Sequence, residues 1–143
     1  MTRLPPTKRV DRDQAKRYLQ SGQTFLAAAQ ALEALAGEDE TYGTAIALLA
    51  VHAVISHGDA LVIAYTGKKS KSGDHTDTVR LLRDALGNRL PDKQEKEMRA
   101  VLTAKDAVAY GGKYFPLADA QALLAKAAAF GEWAEQRYQE RPA

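Results

Sequence analysis

The chain has 143 residues, 45% hydrophobic and 27% charged, with a formal net charge of +2. This is the size of one globular domain, long enough to bury a core without disulfides or a structural metal. Cysteine is absent, which excludes a disulfide scaffold, a thiolate metal site and a cysteine nucleophile. Three histidines leave little material for a zinc centre, and so small a net charge does not identify a nucleic-acid partner.

The N-terminus reads MTRLPPTKRVDRDQ, basic but with no apolar run behind it, so it does not read as a secretory signal. Pro5 and Pro6 amid scattered charge predict a mobile tail over residues 1–10, followed by a single domain over 11–143. A first helix is expected over residues 11–36, because Ala15, Tyr18, Leu19, Gly22, Phe25, Leu26, Ala29, Leu32 and Leu35 recur at helical spacing. Gly37 stands where that helix should stop.

The second helix, over 40–65, is apolar nearly all round and should be the central element. Its run from 45 to 65 is about as long as a membrane span. His52, Ser56, His57 and Asp59 lie in its middle, however, and a central aspartate costs about 3 kcal/mol on insertion. The stretch therefore reads as the core helix of a cytoplasmic protein, with no membrane partner. Gly67 stops it, and residues 67–74 read as a polar, basic loop.

A short third helix is expected over 75–86, with Val79, Leu82 and Leu86 facing inward. Pro91 suits the start of a fourth, over 92–110, with Met98, Val101, Leu102, Lys105 and Val108 on one face. Gly111 and Gly112 break the chain again. The last helix, over 116–139, places Leu117, Ala120, Leu123, Leu124, Ala127, Ala128, Phe130, Ala134 and Tyr138 on or near its inner face. No run alternates as a strand should. The expected fold is all-α, a five-helix antiparallel bundle.

Polar residues in apolar places are the main chemical signal. At about 100° per residue, His52, Ser56 and Asp59 share one stripe of the second helix and His57 points away from it. A buried carboxylate protonates or finds a cation. Lys105, on the apolar face of the fourth helix, is the expected partner, with Ser56 or Tyr110 as a further hydrogen-bond partner. His52, Ser56, Asp59 and Lys105 then form a polar core cluster, either a plain ion pair that sets helix register or part of a site.

His75 lies on the inner stripe of the third helix and is read as a proton carrier or phosphate ligand, or else as a packed histidine. Asp74 or Thr76 is placed to cap that helix. Lys68, Lys69 and Lys71 in the loop are candidate phosphate or RNA contacts, although the loop is not a P-loop. The basic N-terminal segment would add to them if it lay nearby, giving salt-sensitive binding. Tyr110, Tyr114 and Phe115 are the only aromatic cluster, and packing of the last helix explains Tyr114 and Phe115. The two histidines of the second helix lack metal-binding spacing, and no paired carboxylates recur between helices, so neither a metal nor a cofactor is expected.

The run AIALLAVHAVISHGDAL, from Ala45 to Leu61, resembles the second helix of HEPN domains, the higher-eukaryote-and-prokaryote nucleotide-binding domains. Gly67-x-x-Ser70-x-x-x-Asp74-His75, Leu81-Leu82, the stretch from Leu102 to Gly111, and Phe130-Gly-Glu-Trp133 follow in matching order, covering residues 11–139. The resemblance implies a small helical bundle that forms a homodimer. Many HEPN domains cleave RNA with an Arg followed one to two turns later by a His in the fourth helix. Here no histidine follows His75, and Lys105 and Tyr110 stand where that signature falls. A tyrosine, with an ordinary pKa of about 10, is a poor base. The resemblance therefore implies a non-catalytic HEPN-like module that binds a protein, nucleotide or RNA partner in a stress or toxin–antitoxin setting. The alternative is a divergent metal-independent ribonuclease using His75, Lys105 and Tyr110.

Overall fold

The computed structural model describes residues 3–72, 74–110 and 112–143, without the side chain of Tyr110. In chain order the elements are β1 (Thr7–Arg9), α1 (Gln14–Ala36), a 3-10 turn (Glu40–Tyr42), α2 (Gly43–Thr66), β2 (Lys68–Ser70) and α3 (Thr76–Leu86). A second 3-10 turn (Gly87–Arg89), α4 (Asp92–Thr103), α5 (Lys105–Tyr110) and α6 (Leu117–Gln139) complete the chain. The protein is an all-α bundle on the expected five-helix plan, with the fourth helix broken in two.

α2 is the central rod. From Ala50 to Ala64 nearly every side chain is buried, against α1 on one flank, α6 on another and α3 to α5 on the remaining side. The span Glu40–Thr66 is long and apolar enough to cross a membrane, but 83% of its most apolar window is buried inside the bundle, as in the core helix of a soluble protein. Leu61, Ile63 and Phe130 are fully buried at its contacts, each side chain contributing about 1.5–3 kcal/mol. α2 ends where Gly67 takes φ 68° and donates its N–H to the Ile63 carbonyl at 2.8 Å. A Cβ would make that left-handed turn costly.

Two expectations are corrected. The absence of strands does not hold: β1 and β2 form an antiparallel ribbon pairing Thr7 with Ser70, Lys8 with Lys69 and Arg9 with Lys68. Val10 N–H to the Gly67 carbonyl and Lys71 N–H to the Pro6 carbonyl, both 3.0 Å, extend it. Much of the segment read as a mobile tail is therefore tied to much of the segment read as a basic loop. Each strand has only three residues, too few to show alternation, and its partner lies some sixty residues away.

The second correction is the break at Ala104, whose N–H bonds back to Val101 three residues earlier. The change of pitch takes Lys105 out of phase with Met98, Val101 and Leu102. Those three are buried and Lys105 is half-buried.

Candidate nucleic-acid interface

Asp59 and Ser56 are buried on the outward stripe of α2, with exposures of 5% and 8%. One turn further back His52 is half-buried, its ring 5.5 Å from that of Phe25 on α1. The Thr78 hydroxyl donates to Asp59 Oδ1 at 3.2 Å, and Lys69 Nζ lies 3.8 Å from Oδ2. Burial holds the Asp59 carboxyl above its ordinary range, against the weaker pull of Lys69 and Thr78.

The expected ion pair between Asp59 and Lys105 is therefore replaced by one between Asp59 and Lys69. The ribbon folds back over the end of α2 and delivers its middle lysine to the carboxylate, while the break at Ala104 turns Lys105 elsewhere. Lys69 also lies over the Tyr18 ring, 5.7 Å from its centroid. Of the proposed polar core cluster, Ser56 and Asp59 are buried, His52 is at the margin and Lys105 is outside.

Lys105 instead shares a groove of about 500 Å³ with Asp74, His75, Thr76, Leu102, Thr103 and Asp106. His75 opens α3 from its N-cap position. Asp74 accepts from the Thr76 backbone at 3.0 Å and from its hydroxyl at 2.6 Å, which holds the carboxyl below its ordinary range and ties the turn before α3. His75 is half-buried. Burial, then the charges of Lys105, His52 and Lys69, push its pKa below 6.5, with Asp74 opposing. The lowered pKa favours the neutral imidazole. On α3, Thr78 meets Asp59 of α2 one turn after His75. Tyr110, the third catalytic candidate, has its side chain outside the described residues.

The ribbon carries the other half of the surface. Lys8, Arg9, Lys68 and Lys71 are exposed. Lys8 opposes Lys69 and Arg9 opposes Lys68, so two of the three cross-strand pairs are like-charged, an arrangement that costs a fraction of a kcal/mol per pair. Asp59 offsets one of these charges, on Lys69. Among the described residues, no carboxylate lies within 4.0 Å of Lys8, Arg9, Lys68 or Lys71. The exposed cations of Lys8, Arg9, Lys68 and Lys71 can meet anions.

Sequence reasoning missed the environment of His57. Its exposure is 1%, and it lies in the seam between α1 and α6, with Nδ1 3.0 Å from its own-helix Ala53 carbonyl and Nε2 without a partner. A Cβ on Gly22 would lie 2.8 Å from the ring and one on Gly131 3.0 Å from it. The available signal was a glycine on the inner face of each flanking helix. Among the described residues, no group of three or more His, Cys, Asp or Glu side chains is placed to hold a metal ion.

No protein-family model matches the chain, and neither does any curated protein or solved structure.

Proposed function

We propose that this protein is a non-catalytic HEPN-like helical module that acts as a homodimer and binds RNA through phosphate contacts on its β-ribbon. The observation that carries this reading is the pairing of Lys8 with Lys69 and Arg9 with Lys68, which concentrates cations that, among the described residues, one carboxylate offsets. Phosphates relieve the repulsion and release counterions, so affinity falls steeply as salt rises. The test is RNA binding over a salt series with Lys8, Arg9 and Lys68 replaced together by Ala. Three lost contacts reduce the slope of log affinity against log salt by about 2 for a single strand. An unchanged slope would remove the ribbon from the interface. Sedimentation of the free protein tests the dimer, and a monomer at every concentration counts against it.

A second reading, metal-independent RNA cleavage, is favoured by one observation: His75 and Lys105 share a groove, where burial lowers the pKa of His75. A neutral imidazole can take the proton of a ribose 2′-hydroxyl as that oxygen attacks phosphorus, with Lys105 offsetting the charge that develops on the phosphate. The departing 5′-oxygen would need a proton, the role expected of Tyr110. Labelled RNA without metal decides between the readings. Cleavage between about pH 6 and pH 9 that His75→Ala abolishes would favour the enzyme, and intact RNA throughout would favour the binding module.

A further inference from the structure

Arg12 is common to two adjoining clefts. One, of about 340 Å³, is lined by Arg9, Val10, Thr66, Gly67 and Lys68 as well as Arg12, and has no carboxylate in its wall. The other, of about 530 Å³, lies between the start of α1 and the ends of α2 and α6, and holds Arg12, Lys16 and Arg141 against Asp13 and the terminal carboxylate of Ala143. Arg12, Lys16 and Arg141 are exposed, and among the described residues none has a carboxylate within 4.0 Å. By contrast, Arg80, Arg83, Arg99 and Arg137 each pair with an acid.

The bland explanation for these cations is service to helix ends. Arg141 does donate to the Tyr138 carbonyl at 3.0 Å, near the end of α6. The magnitudes leave a remainder. The ends of α2 and α6 each contribute about half a negative charge and the start of α1 about half a positive one. Three cations against Asp13, the Ala143 carboxylate and that small dipole balance leave a surplus of about half a positive charge, by the same scale.

We infer that this cleft continues the ribbon's anion track, so that one RNA strand crosses Arg12 and sets its phosphates on Arg9 and Lys68 on one side and on Lys16 and Arg141 on the other. The inference rests on the RNA-binding reading and adds to it where the strand goes and what is read. Arg141 lies over the Tyr138 ring at 4.0 Å from its centroid, so that face is covered by a cation and is not offered to a base. Contacts along this path are to the backbone, and recognition there is indifferent to sequence.

The experiment uses the full chain with Arg12, Lys16 and Arg141 replaced by Ala, against a short and a long oligouridylate over a salt series. Circular dichroism melting verifies that the variant is folded. With the long strand, the variant loses about 2 from the salt slope, at about 0.7 per phosphate contact. With a strand too short to leave the ribbon, it loses at most the share of Arg12, about 0.7. A wild-type slope for the long strand, while the ribbon variant loses its own share, overturns the continued track and leaves ribbon binding intact. No binding of either strand by the wild type overturns the RNA reading, and the track with it.

Discussion

Lys69 sets its ammonium nitrogen 3.8 Å from Oδ2 of Asp59, tying the β-ribbon to the buried stripe of α2. The contact is long, the lysine side chain is one-quarter exposed and the aspartate side chain is 7% exposed. The carboxylate is thus the desolvated partner, and the lysine can turn outward if released.

That asymmetry orders two substitutions. Asp59→Asn keeps an acceptor for Thr78 and removes the buried charge, so stability at pH 7 should change by less than about 1 kcal/mol. Lys69→Met leaves the carboxylate buried without its cation and should cost about 1–3 kcal/mol. Urea unfolding of both variants measures the order. A larger loss in Asp59→Asn would mean that the carboxylate is a net stabiliser of the fold.

His57 should make the protein acid-sensitive. Burial lowers its folded pKa below the ordinary 6.5, against the opposing effects of the Ala53 carbonyl and Glu135. The unfolded chain therefore takes up the proton first as pH falls. The stabilising contribution is complete above about 6.5 and is lost below it, down to the folded value, at up to about 1.4 kcal/mol per pH unit. His75, lowered for related reasons, has the same sign, and Asp59, raised by burial, has the opposite sign. Chemical denaturation of the wild type and His57→Gln between about pH 7.5 and pH 5 isolates the His57 share. Parallel curves for the two proteins would show that His57 is accessible to protons in the fold.

Two glycines in α2 should respond oppositely to alanine. In an ordinary helix the exchange stabilises by about 1 kcal/mol. At Gly43 the added Cβ would lie 1.9 Å from the Phe115 carbonyl oxygen, which is backbone and is held by the bond from Phe115 N–H to Thr44 Oγ1 at 2.9 Å. Gly43→Ala should therefore destabilise by about 3 kcal/mol or more. At Gly58 the nearest atom is the terminal methyl of Met98 at 2.6 Å, on a side chain that can swing aside. Gly58→Ala should stay within about 1 kcal/mol of the wild type. Thermal melting of the pair is the measurement, and equal effects would refute the contrast.

Arg83 holds the α3–α4 connection with every nitrogen engaged. It donates to Glu95 at 2.8 Å, to the Gly87 and Leu90 carbonyls at 2.8 and 2.9 Å, and to Asp92 at 3.2 Å. Lysine keeps the charge but cannot reproduce a planar fork reaching four acceptors. Arg83→Lys should cost about 1–3 kcal/mol. A melting temperature equal to that of the wild type would make the network incidental.

Within a single element, position is legible in the chain. The stripe of Ser56 and Asp59, with His52 at its margin, follows from helical pitch alone. So does the direction of His57 away from them. His75 and Lys105, which lie thirty residues apart on different helices, line one groove. The partner of Asp59 was misassigned because extrapolating one face through residues 92–110 assumes an unbroken helix, and the turn at Ala104 ends that phase.

By itself the sequence determined the helical architecture: where the rods lie, which faces turn inward and where glycine ends them. Local spacing and backbone conformational freedom carry that information within a few turns of chain. Only the tertiary structure decided which distant groups meet, namely the pairing of Thr7–Arg9 with Lys68–Ser70, the choice of Lys69 for Asp59, and the seating of His57 between Gly22 and Gly131. The physical reason is that these contacts join residues far apart in the chain. They depend on how whole helices pack and on small departures from ideal pitch, and neither is encoded in any single stretch of residues.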